Sequence, residues 1–236
     1  MIWNLANLMT LSNLFCGCLA IVFLFNGQPQ FIFWCWVLSV VFDFFDGFVA
    51  RLLNVKSDLG GQLDSLADVV SFGVVPGLLV YHIIGQSLGD PLHWLSFFGF
   101  VLVLFSAVRL AKFNLDTRQT DGFLGLPTPS CAAFWVGWFQ FWLMNKEVPG
   151  HISSSVPLLL FLVVLFCYLL ICELPMIALK FSKDMPQAKK NIIILAAIVS
   201  IINFFIFGKF ALSINVTGYL LYSFASYYLS VKKLKV

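Results

Sequence analysis

Long apolar runs alternate with short polar breaks along the whole chain. The runs fall at 10–26, 30–53, 60–84, 92–113, 127–144, 155–174, 191–208 and 211–231. A helix that crosses a bilayer needs about 20 mostly apolar residues, so each run is a candidate span. Only Gly208-Lys209-Phe210 separates the last two runs. Together they are too long for one crossing, so a tight hairpin is expected there. The first run carries Asn7, Thr10 and Asn13 at intervals of three and has no basic lead-in, so it reads as a span and not as a cleavable signal peptide. The pattern predicts an all-α integral membrane protein, a polytopic bundle of about eight transmembrane helices in a single membrane domain over 1–236.

Composition agrees. Of 236 residues, 61% are hydrophobic and 11% charged, against about 25% charged in soluble domains. That excludes a water-soluble globule and a disordered chain. The net charge of +3 is too small for a nucleic-acid partner. Six cysteines, at 16, 18, 35, 131, 167 and 172, lie inside apolar runs with no C-x-x-C pair, so they read as small packing residues.

The few charges orient the bundle. With the N-terminus on side one, that side receives Arg51, Lys56, Arg109, Lys112, Arg118, Lys180, Lys183, Lys189, Lys190, Lys232, Lys233 and Lys235; side two receives only Lys146 and Lys209. Cytoplasmic loops carry the excess of Lys and Arg, so both termini are expected in the cytoplasm.

Five of the eleven acids fall between 43 and 68. Asp43 and Asp46 end the second span on side one, and Asp64 and Asp68 begin the third. An ionisable residue at membrane depth costs about 2.5–3.5 kcal/mol on insertion scales and marks a functional site by default. At 100° per residue, Asp43, Asp46, Gly47 and Ala50 share about 100° of one helix face, and Gly60, Asp64, Asp68 and Ser71 share about 80° of the next. A short turn joins the two helices, so the acidic faces can oppose each other. Arg51 and Lys56 could neutralise only two of the four acids as structural ion pairs. With one or two divalent cations the four become an oxygen-ligand site suited to Mg²⁺ or Mn²⁺. Gly47, Ala50, Gly60 and Gly61 leave space beside them for a bulky ligand. A cation or proton pathway would also use buried acids, but it would run across the membrane, whereas these cluster at one end.

In order, the residues read Asp43-x2-Asp46-Gly47-x2-Ala50-Arg51-x8-Gly60-x3-Asp64-x3-Asp68. This resembles the signature of the CDP-alcohol phosphatidyltransferases at all eight positions. Three further stretches are similar to the phosphatidylserine synthase branch of that family: the run from Gly60 to Pro76, Ser106-Ala-Val-Arg109-Leu-Ala-Lys112-Phe-Asn114, and Phe123-Leu-Gly125-Leu-Pro127-Thr-Pro129. Asn7-x2-Thr10-x2-Asn13-x3-Gly17 fits it too. Gln62 and Lys112 stand where that branch usually has Glu and Arg.

The resemblance implies a catalytic core over about 7–174 with additional helices at 191–231. It also implies a homodimer in the inner membrane with a cytoplasmic active site, and transfer of a phosphatidyl group from CDP-diacylglycerol to L-serine. By the same resemblance Asp43, Asp46 and Asp64 hold divalent metal, two Mg²⁺ or Mn²⁺ ions. Asp68 joins them and is the best general base. Gly47, Ala50, Arg51 and Gly60 serve the nucleotide and diphosphate. A serine carboxylate calls for a cation, preferably the bidentate fork of arginine. Arg109 is the first choice, with Lys112, Asn114 and Arg118 behind it. Another acceptor (glycerol-3-phosphate, inositol phosphate or choline) or a CDP-archaeol donor uses the same core. A loop rich in Gly and Pro at 117–129 is a candidate lining for the site, and Pro76 a candidate kink in the third span.

Overall fold

The computed structural model of the protein describes residues 4–55, 57–116, 123–176 and 187–233. Helix α1 (Leu5–Phe25) starts under Asn4, whose side chain accepts the Asn7 amide at 2.7 Å. A 3₁₀ turn at Pro29–Phe31 leads into α2 (Ile32–Leu52). The chain leaves α2 through Asn54 in the left-handed region (φ 53°), while the Val55 amide bonds back to the Ala50 carbonyl at 3.1 Å. Asn is one of the few non-glycine residues that tolerate this C-terminal turn. Ser57 then caps α3 (Asp58–Asp68) by accepting the Gly60 amide at 3.1 Å. The local sequence thus folds the two acidic helices back on each other.

After α3 the rod continues through a π turn at Val69–Val74 into α4 (Val75–Leu88). The Val75 amide reaches back five residues to Val70. Pro76, expected to kink the span, follows directly. It has no N–H to give, so the wide turn ends where the helical ladder would break in any case.

The chain goes on with α5 (Val101–Leu115), entered through a 3₁₀ turn at Ser96–Phe100. Two short strands, β1 (Phe123–Leu124) and β2 (Pro175–Met176), pair antiparallel across the intervening α6 (Thr128–Asn145) and α7 (Val156–Ile171). Gly125 (φ +77°) turns the chain after β1, where a Cβ would meet the Cys172 carbonyl at 2.7 Å. Last come α8 (Gln187–Phe207) and α9 (Ala211–Lys233). The buried core centres on α4 and α6, with Val80, Ile83 and Ile84 against Trp135, Val136 and Phe139, and Leu159, Val163 and Leu170 of α7 behind them.

Five stretches are long and apolar enough to cross a membrane: Leu5–Phe25, Pro29–Leu52, Asp58–Leu88, Ser96–Leu115 and Lys190–Leu229. The architecture is the all-α polytopic one expected. Among the described residues a helical rod stands at each of the eight expected positions. α6, with Thr128, Gln140 and Asn145 in its 18 residues, and the 16-residue α7 fall outside those five stretches. The last stretch is a hairpin. Asn203 donates to the Asn215 side chain at 2.7 Å although twelve residues separate them. In a straight helix that separation is about 18 Å, so the bond forms only because the chain reverses at Gly208 (φ +57°).

Candidate active site

The acids come together as opposed helix faces, though not as one group of four. Asp43 of α2 and Asp64 and Asp68 of α3 present carboxylate oxygens all within 4.8 Å of one another. Asp46 stands apart from that triad: its Oδ2 accepts the Thr10 hydroxyl of α1 at 2.6 Å. Helix α1 packs against both α2 and α3, which themselves make little close backbone contact. The carboxylates therefore face each other across a gap that α1 closes on one side.

A cavity of about 240 Å³ opens from this gap. Asp46, Gly47, Ala50 and Arg51 of α2, Gly60, Gly61 and Asp64 of α3, and Asn7 and Thr10 of α1 line it. The four small residues expected to leave space all border it. The nearest neighbour to a Cβ at Gly47 would be the Arg51 guanidinium at 3.8 Å, and at Gly61 there would be none within 4 Å.

The triad fits a cation. Among the described residues no lysine or arginine pairs with any of its acids, and Asp64 Oδ1 is buried without a hydrogen-bond partner. Oxygens on opposite sides of a Mg²⁺ ion bound at about 2.0–2.1 Å lie roughly 4.0–4.2 Å apart, so carboxylates within 4.8 Å of one another would close in by some tenths of an ångström to hold one.

The expected acceptor residues divide. Arg109 of α5 is buried, its guanidinium carbon 5.2 Å from the Phe113 ring centroid and its Nε without a hydrogen-bond partner. One turn earlier, the Ser106 hydroxyl is buried and unpartnered beside Gly73 of the π turn. Lys112 is engaged elsewhere, with Glu173 at 3.2 Å and the Ile171 carbonyl at 3.4 Å. Asn114 donates to Ser65 at 2.8 Å and so ties the end of α5 to α3. Arg118 lies outside the described residues, as do residues 117–122 of the loop proposed to line the site. None of Arg109, Lys112 or Asn114 borders the 240 Å³ cavity. The residues that charge counting passed over are on α1. Asn13 donates to Asp68 Oδ1 at 3.1 Å, and Thr10 holds Asp46. Their three-residue spacing, polar within an apolar run, is the signal that points to them.

The family profile of CDP-alcohol phosphatidyltransferases matches residues 3–221. The chain belongs to the CDP-alcohol phosphatidyltransferase family. Curated relatives carry the name CDP-diacylglycerol–serine O-phosphatidyltransferase. The Helicobacter pylori J99 protein is 42% identical over 130 residues, 53% of each chain. The Bacillus subtilis protein is 38% identical over 130 residues, 52% of this chain and 67% of its own. The Methanocaldococcus jannaschii protein is 35% identical over 151 residues, 64% of this chain and 67% of its own. The match thus spans about half the length of the Helicobacter protein. In this family member the signature residues from Asp43 to Asp68 are the same ones that border the cavity and the triad.

Proposed function

We propose that the protein transfers the phosphatidyl group of CDP-diacylglycerol to L-serine, releasing CMP and forming phosphatidylserine. The observation that carries the reading is the Asp43–Asp64–Asp68 triad, with no lysine or arginine paired to it among the described residues, beside a cavity walled by the rest of the signature. The names of the curated relatives support the donor and the acceptor.

Asp43, Asp64 and Asp68 would hold divalent metal, with Asp46 as a further ligand; Mg²⁺ or Mn²⁺ suits this all-oxygen set. When bound, the metal neutralises the donor's diphosphate and stabilises CMP as it leaves. Gly47, Ala50 and Gly60 leave room for the nucleotide head, and Arg51 faces the diphosphate. The acyl chains lie outside, along the exposed Phe44, Phe45 and Phe48 of α2. The serine hydroxyl oxygen attacks the β-phosphorus, forming one P–O bond as the bond to the CMP oxygen breaks. Asp68 takes the hydroxyl proton. Phosphoryl transfer asks mainly for positioning and charge stabilisation, which is why a weak carboxylate base suffices. Arg109 binds the serine carboxylate with Ser106 one turn away on α5; the Arg109 Nε and the Ser106 hydroxyl are both buried without a hydrogen-bond partner. The loop charges support a cytoplasmic site with both termini on that side, in the inner membrane, and the family supports a homodimer.

The test is purified protein with CDP-diacylglycerol, Mg²⁺ or Mn²⁺ and a panel of labelled alcohols, with products separated by chromatography. Phosphatidylserine is expected, with CMP release lost in EDTA and restored by either ion. Product from glycerol-3-phosphate and none from serine would overturn the acceptor. Turnover in excess chelator would overturn the metal site.

A further inference from the structure

Helix α1 carries no acid, yet it makes direct side-chain bonds to carboxylates of both acidic helices. Asn7, Thr10 and Asn13 recur every three residues and fall within about 120° of one face. The Thr10 hydroxyl lies 2.6 Å from Asp46 Oδ2 and 3.2 Å from the Ala6 carbonyl. A threonine hydroxyl has one proton to give, and the shorter contact to a carboxylate is the charge-assisted one, so the proton goes to Asp46. One turn along, the Asn13 amide donates to Asp68 Oδ1 at 3.1 Å. Both side chains are buried, and Asn13 is 0% exposed.

The rotation of α1 that aims these groups is itself fixed. The Asn13 carbonyl accepts two hydroxyls, Ser39 of α2 at 3.3 Å and Ser71 of the π turn at 3.0 Å. Ser71 gets that close because residue 17 is glycine: a Cβ there would sit 2.5 Å from the Ser71 oxygen. One residue of α1 thus touches α2 and the π turn through its backbone and α3 through its side chain.

We infer that Thr10 and Asn13 are positioning residues: each ties down one oxygen of a site carboxylate, Asp46 and Asp68 respectively, and so orients the acids for cation binding before substrate arrives. The inference rests on the metal-holding part of the proposed function and is independent of the acceptor. Hydrogen bonds to charged groups are the strong ones, and losing one should cost roughly tenfold or more in an affinity that depends on it.

The test reads Mn²⁺ alone, by electron paramagnetic resonance of the free ion, on the detergent-solubilised full chain. Thr10→Val keeps shape and loses the hydroxyl; it should weaken Mn²⁺ binding roughly tenfold or more. Thr10→Ser keeps the hydroxyl and should stay within about twofold of the parent. Asn13→Leu, which acts through a different acid, should weaken binding as Thr10→Val does. Ser12→Ala removes a hydroxyl that donates only within α1, to the Leu8 carbonyl at 2.9 Å, so it should leave the affinity within about twofold. Unchanged affinity in Thr10→Val or Asn13→Leu overturns the inference. So does a loss in Thr10→Ser or Ser12→Ala as large as in Thr10→Val, since that would make the effect one of helix packing. A parent protein that binds no Mn²⁺ overturns the proposed metal site instead.

Discussion

The cavity between α1, α2 and α3 measures about 240 Å³, and a larger one of about 520 Å³ opens at the opposite end of the bundle. The larger is lined by the ends of helices and by loop residues, among them His82, Gln86, Lys146, Glu147 and Ser154. Its charges compensate each other: Lys146 lies 3.8 Å from Glu147, and both side chains are well exposed. His82 packs against the rings of Phe139 and Trp142. At the acidic end the buried and half-buried charges are carboxylates, two of them held by hydrogen bonds from a third helix, and the cation on the cavity wall, Arg51, is exposed. Volume and chemistry are thus separated in this molecule. The proposed cation site needs like charges kept close against their repulsion, and of the two cavities the smaller one has walls that do so.

The sharpest way to break this contrast is at the triad. Asp64→Ala removes a ligand oxygen, and metal stabilisation of a diphosphate is worth several kcal/mol, roughly a thousandfold or more in rate. CMP release and Mn²⁺ binding should therefore both collapse. Asp68→Asn keeps an oxygen for the Asn13 amide but cannot take a proton. Its turnover should fall by on the order of 10²–10⁴ while CDP-diacylglycerol and Mn²⁺ still bind. If Asp68→Asn loses metal as completely as Asp64→Ala, the division of roles is wrong.

Next in size is the seat of α1. Gly17→Ala pushes a methyl against Ser71, and overpacking of this kind costs about 1–3 kcal/mol. A lowered thermal midpoint in detergent and weaker Mn²⁺ binding should appear together. Gly218→Ala, with nothing within 4 Å of its Cβ, should change neither. A neutral Gly17→Ala would mean that α1 is free to shift and does not set the carboxylates.

Arg109→Lys keeps the charge but loses the planar fork. The KM for serine should rise on the order of tenfold, the scale of one charge-assisted hydrogen bond, with the KM for CDP-diacylglycerol little changed. An effect on the nucleotide lipid instead would move Arg109 to the donor side. The smallest effect is expected in the larger cavity. Lys146→Ala with Glu147→Ala removes an exposed ion pair, worth about 0–1 kcal/mol, and CMP release should stay within about twofold. A substantial loss there would give the larger cavity a part in the reaction.

The periodicity of the chain by itself determined the helices, their membrane character and the alignment of each acidic face. These are local properties, repeating every 3.6 residues and readable without knowing the neighbours. The short α2–α3 turn was legible as the break between two apolar runs, while the left-handed Asn54 and the Ser57 cap that build it came from the structure. Tertiary structure decided how the four acids divide. Asp46 turns to Thr10 and Asp68 to Asn13 across 36 and 55 residues of chain, and both bonds depend on how α1 is rotated against its neighbours. It also decided that Lys112, expected beside Arg109 at the acceptor site, pairs with Glu173 61 residues away, leaving Arg109 with a buried Nε that has no partner. Such pairings follow from the contact of Gly17 with Ser71 and the packing of α5 on α7, and no local pattern encodes which faces of two distant helices will meet.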